Sequence, residues 1–210
     1  MAKTGIIVID PGHGGRFEDG GSSANNATSA SGVLEKNITL RMAFLVREQL
    51  ALAAAADGHN LTIILTRESD ENLGLAARAN VAKTKKADLF LCIHCNAFDA
   101  TVRGTETLIS PVSAGNTNHA ADKAFAQLIQ TAVFNAIRAH DPNAKDRKVK
   151  DQRLAVLRES NLGAKARGCL VELEFIDVKK VDELLNIGAQ SPQVRRDVAK
   201  AVAEALIQAL

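Results

Sequence analysis

Two short apolar runs in this chain end at a histidine, and a third carries a glutamate. Ile6-Ile7-Val8-Ile9 breaks into Asp10-Pro11-Gly12-His13-Gly14-Gly15, and Leu89-Phe90-Leu91-Cys92-Ile93 runs into His94-Cys95-Asn96. Cys169-Leu170-Val171 delivers Glu172, with Glu174 two residues further on. Glu35 stands just after a stretch rich in Gly, Ser and Asn, in the first turn of a helical pattern. Two imidazoles and one carboxylate form a ligand set of catalytic zinc, which keeps a further position open for water. A spare carboxylate outside that set can accept the water's proton. Each residue also has an ordinary reading. A loop histidine can be a surface or capping group, and Glu35 a first-turn acid favoured by the helix dipole. Glu172 is the least ordinary of the four, because a carboxylate in an apolar run is rarely buried without a partner.

Other chemistries fit less well. A strand followed by glycines invites a phosphate loop, but the third glycine of G-x-G-x-x-G is replaced by Phe17 and no G-K-[ST] follows. Cys92, His94 and Cys95 cannot converge on one metal from a strand, where Cys95 points away from the other two. With Cys169 they make three cysteines, an odd number, expected as reduced thiols rather than a disulfide framework. His59, His119 and His140 are expected to face solvent.

Positioning such residues requires strands that end at one edge. Ile6–Ile9, Leu61–Leu65, Leu89–Ile93 and Cys169–Leu173 are near-continuous apolar runs, the pattern of strands covered on both faces. Thr105–Ser110 and Arg153–Leu157 alternate more and are expected as edge strands. Helical stripes lie between, through Leu34, Ile38, Met42, Leu45 and Leu50, through Phe125, Leu128, Val133 and Ile137, and through Val194, Val198, Val202 and Leu206. The expectation is an α/β fold: one domain over residues 1–210, a mostly parallel, mixed sheet of about six strands, and helices on both faces. Ligands bind such sheets at the carboxyl edge of the strands. Gly14–Gly32 reads as a long loop of the kind that carries function. The 210 residues include 26 Lys+Arg against 24 Asp+Glu, a balance that gives no reason to expect a nucleic-acid or membrane surface. Seven Phe are the only aromatics, so base stacking is also unexpected. The longest apolar run, Leu50–Ala56, is far short of a membrane span, and the first residues hold no secretory leader pattern.

The order of these segments resembles the zinc-dependent N-acetylmuramoyl-L-alanine amidases of the amidase 3 type. Ile7 to Gly15 resembles the family's opening strand and first ligand, and Gly32-Val33-Leu34-Glu35-Lys36-Asn37 its second. Leu65-Thr66-Arg67 with Leu73 to Asn80 is similar to the middle block, and Ala87 to Ala97 to the strand bearing the third ligand. Gly104-Thr105-Glu106-Thr107, Leu154 to Arg158 and Leu170 to Ile176 complete the series. The resemblance implies Zn2+ held by His13, Glu35 and His94, with Glu172 as general base. The implied reaction is hydrolysis of the amide between the lactyl group of N-acetylmuramic acid and L-alanine in peptidoglycan. The implied setting is the bacterial cell wall, with a monomeric autolysin or phage endolysin as the type of protein. The polar segment His140–Gln152 is too short for a helix that plugs the site. Cys92, Cys95, Glu174 and Val178 depart from the family pattern, and Glu174 could compete with Glu172 for the proton role. The alternative is an inactive metal- or peptidoglycan-binding regulator of the same fold.

Overall fold

A computed structural model describes residues 1–210. Six strands, β1 (Thr4–Pro11), β2 (Asn60–Leu65), β3 (Leu89–Asn96), β4 (Thr105–Ile109), β5 (Asp146–Asp151) and β6 (Arg167–Phe175), form one sheet in the order β2-β1-β3-β6-β4-β5. All neighbours are parallel except β4 and β6. Six helices connect and cover it: α1 (Glu35–Asp57), α2 (Leu75–Lys85), α3 (His119–His140), α4 (Glu159–Leu162), α5 (Lys179–Asp182) and α6 (Ser191–Ala209). None is long and apolar enough to cross a membrane.

Residue parity divides the core. Ile7, Ile9, Leu89, Leu91, Ile93, Val171 and Leu173 point to one face, where Met42, Val46, Phe125, Val133, Val198 and Leu206 from α1, α3 and α6 cover them. Val8, Phe90, Cys92, Leu108 and Leu170 point to the other, against Ala79, Ala82, Val156 and Leu162. This two-sided burial is why the central strands read as unbroken apolar runs. All three thiols are free and buried.

Two expectations about the edge fail. Thr105–Ile109 is an internal strand between β6 and β5, buried throughout. Its threonines look half-exposed in sequence, yet Thr105 Oγ1 donates to Leu173 O at 2.9 Å and Thr107 Oγ1 to Gln130 Oε1 at 2.8 Å. Arg153–Leu157 is not a strand; it enters a short 3-10 turn at Ala155–Leu157 that packs Val156 and Leu157 beneath the sheet. One edge of the sheet is β2, half-buried with only Leu65 fully covered; the other is the charged Asp146–Asp151, whose polarity hides it from an apolar pattern and blunts an exposed edge.

Candidate metal centre

The carboxyl ends of β1, β3 and β6 meet at one edge, and the chain must turn there without blocking it. Beyond β1, His13 adopts φ 62°, a left-handed conformation uncommon outside glycine. Two buried arginines hold this turn. Arg67 donates to Pro11 O (3.0 Å) and Gly12 O (2.9 Å), while Arg78 donates to Pro11 O and His13 O, both at 2.8 Å. The strain is therefore held by charge-assisted hydrogen bonds to three successive carbonyls. Arg78 also pairs with buried Asp10 at 2.9 Å. Burial pushes the Asp10 carboxyl up, but Arg78, Cys92 and Thr66 together hold it below its usual value. Arg67 has no carboxylate in contact, and burial beside Arg78 lowers its guanidinium to about 10.

This clamp aims His13. Its Nδ1 lies 2.9 Å from Ser23 O, and a carbonyl only accepts, so Nδ1 carries the proton and Nε2 presents its lone pair. Nε2 is buried without a hydrogen-bond partner, although Glu35 Oε2 is 3.1 Å away. With the proton on Nδ1, Nε2 has no hydrogen to donate to that carboxylate. Glu35, fully buried at the start of α1, is fixed by Ala27 N on Oε2 and Cys95 N on Oε1, each at 2.9 Å. Burial opposes its charge, yet the two histidines hold its carboxyl well below the usual range. His94 Nδ1 donates to Glu35 Oε1 at 3.0 Å, a proton that a cation in this place would displace. The ligand atoms of His13, Glu35 and His94 lie within 4.8 Å of one another. An orphaned imidazole nitrogen, an ionised carboxylate and a second imidazole around one point fit a divalent metal of the zinc type.

Gly12 makes room for this cluster. A Cβ there would sit 2.4 Å from Nε2 and Cε1 of His94. Gly12→Ala is therefore expected to displace the His94 ring and weaken metal affinity by about 10- to 100-fold. Titration of the metal-free protein with Zn2+ checks this, and unchanged affinity would contradict it.

Glu172 stands beside His94 in register across β3 and β6. Its Oε2 is closed off from solvent and has no partner. Burial, together with the nearby charges of Glu35 and Glu106, pushes this carboxyl well above the usual range. Glu174 is committed elsewhere. Its oxygens accept from Arg103 Nη2 (3.0 Å) and from the backbone N–H of Gly104 (2.6 Å) and Phe175 (3.0 Å). Arg103 in turn holds Asp141 at 2.7 Å. A cavity of about 90 Å³ opens beside His13 and His94, walled by Asp10, Arg78, Cys92 and Val156.

The remaining histidines lie outside the cluster, but they are less exposed than expected. His59 is packed into the fold with 9% of its side chain exposed, and its Nδ1 accepts from Lys3 N at 3.0 Å. His119 and His140 are half-buried against Asp151 and Asp197. The arginine clamp went unread as machinery in the sequence. Its only signal was Arg67 and Arg78 standing within recognisable blocks.

A family model described as N-acetylmuramoyl-L-alanine amidase, Amidase_3, matches residues 7–208. The chain belongs to this family. The amidase is 33% identical over 199 residues to N-acetylmuramoyl-L-alanine amidase CwlM of Bacillus licheniformis, covering 95% of this chain and 68% of that protein. It is 30% identical over 201 residues to an endolysin of Bacillus phage SPP1, covering 96% and 66%. It spans 34% of an uncharacterized cell wall amidase of Bacillus anthracis, to which it is 30% identical. The catalytic domain of the amidase CwlV from Bacillus (Paenibacillus) polymyxa var. colistinus shares its fold, with TM-score 0.76, 26% identity and 97% of each chain covered. The amidase is thus a hydrolase whose sheet and helices form an α/β fold.

Proposed function

We propose that this amidase hydrolyses the amide between the lactyl group of N-acetylmuramic acid and L-alanine in peptidoglycan. In this reading His13, Glu35 and His94 hold Zn2+, and Glu172 is the general base. The observation that carries it is the convergence of three ligand atoms within 4.8 Å, with His13 Nε2 left unpartnered, in a chain of this family. Bound zinc would polarise the scissile carbonyl and make the attacking water acidic enough to ionise near neutral pH.

The chain's own groups do the rest. Ser23 and the arginine clamp fix the His13 tautomer and direction. Glu172 Oε2, with no competing partner, accepts a proton from water as the new C–O bond forms. It returns that proton to the alanine nitrogen as the C–N bond breaks, leaving a lactyl carboxylic acid and a peptide with a free α-amine. A carboxylate of raised proton affinity suits both halves of that transfer. Family membership and the endolysin and CwlM relatives support action at the bacterial cell wall.

Incubation with purified peptidoglycan is expected to generate new free amino ends. A chelator should abolish the reaction, and added Zn2+ should restore it. Mass analysis should find glycan strands and stem peptides separated but each intact. Cleavage within the stem peptide would point instead to a peptidase. Absence of new amino ends in zinc-replete protein would leave a binding protein.

A further inference from the structure

One face of the sheet carries a row of reactive and charged side chains that continues past Glu172 to the edge of the molecule. His94 pairs with Glu172 across β3 and β6, and Glu172 with Glu106 across β6 and β4. The outermost strand, β5, presents Arg147, Lys148 and Lys150. In an unbroken strand Arg147 and Lys150 would point to opposite faces. A bulge prevents this: Thr105 pairs with Asp146 but Thr107 with Val149, and Lys148 takes φ 69°. The extra residue returns Lys150 to the face of Arg147. Arg147 Nε then donates to Glu106 Oε2 at 2.9 Å, and Lys150 Nζ donates to the same oxygen. Asn96 Nδ2 holds Oε1 at 2.9 Å.

One carboxylate thus organises two cations and leaves a surplus positive charge. The heads remain reachable, with 34% of the Arg147 and 43% of the Lys150 side chain exposed. Lys148 is spent on Asp146 at 2.6 Å. Strand order gives a direction. His13 and His94 come from the β1 and β3 side, Glu172 from β6, and β4 and β5 lie beyond. A leaving nitrogen protonated by Glu172 on the side away from the histidines would have β4 and then β5 next to it. That edge is two strand spacings from β6, about 10 Å at about 4.8 Å each. An extended peptide advances about 3.5 Å per residue, so its second residue comes within side-chain reach.

We propose that Arg147 and Lys150 form a subsite for a carboxylate of the leaving peptide, a proposal that rests on the amidase reading above. The test uses purified peptidoglycan in two forms, one with stem carboxylates free and one with them converted to carboxamides. The readout is the rate of new amino ends at low substrate. Wild-type protein is expected to favour the free form by about tenfold, and Lys150→Met and Arg147→Met to lose most of that preference. Both variants should bring the ratio of the two rates towards one, whatever happens to the absolute rates, and Lys148→Met should leave that ratio at the wild-type value. Equal wild-type rates on the two forms would overturn the subsite. Parallel loss of both rates in the variants would also overturn it, leaving the cations as structural partners of Glu106. Failure of wild-type protein to open either form would overturn the amidase reading itself.

Discussion

Glu172→Gln is expected to lower turnover on peptidoglycan by about a thousandfold while leaving zinc stoichiometry unchanged, because a positioned proton carrier contributes about 10²–10⁴ in rate. The same variant should be more stable than wild type when metal is absent. The folded-state pKa of Glu172 is raised by burial and by Glu35 and Glu106. Its ionisation therefore opposes folding above the unfolded value of about 4.3. The sign follows directly. Below that pH both proteins carry a neutral group and differ little. As pH rises, wild type loses stability relative to the variant until the folded group also ionises, after which the gap is constant. Melting curves in chelator from pH 4 to 8 should show the gap opening with pH. A gap that closes with rising pH, or wild-type turnover in the variant, would contradict this account. Stability given up at an unpartnered oxygen, here the one proposed to carry the proton, is a familiar exchange.

Arg78→Met should be the most damaging substitution away from the proposed metal ligands. It removes donors to Pro11 O, His13 O and Leu73 O and strands Asp10, which is completely buried. Breaking a buried pair from one side costs about 3–5 kcal/mol, and in a chain of this size each kcal/mol shifts Tm by about 2–4 °C. A fall of about 10 °C or more is expected. Adding Asp10→Asn should recover part of it, because the stranded charge is then gone. A shift of only a degree or two, or no recovery in the double variant, would show that the ion pair does not hold the turn. Lost stability should be accompanied by lost zinc affinity, since the same guanidinium fixes the backbone at His13.

Much of this was legible from residues alone, and the reason is periodicity. Strands buried on two faces need apolar residues at every position, so β1, β3 and β6 announce themselves; β2 does so from the edge because its apolar residues are half-covered on both faces, and the α/β layering follows. Glycines around His13 and a carboxylate within an apolar run mark chemistry because each is costly without a use. Local pattern failed where burial depended on distant partners. Thr105 and Thr107 look half-exposed until Leu173 O and Gln130 take their hydroxyls, and β5 carries no apolar signature because none of its residues is fully buried. Sequence therefore determined which side chains could do chemistry and which layer would present them. Only the tertiary structure decided which carboxylate stays free, because Glu174 is claimed by Arg103 and the Gly104 N–H while Glu172 Oε2 is claimed by nothing. The tertiary structure alone also decided that Arg67 and Arg78, distant in sequence from His13, hold its strained backbone. Hydrogen bonds of that kind depend on where separate loops converge, and no local pattern along the chain encodes that convergence.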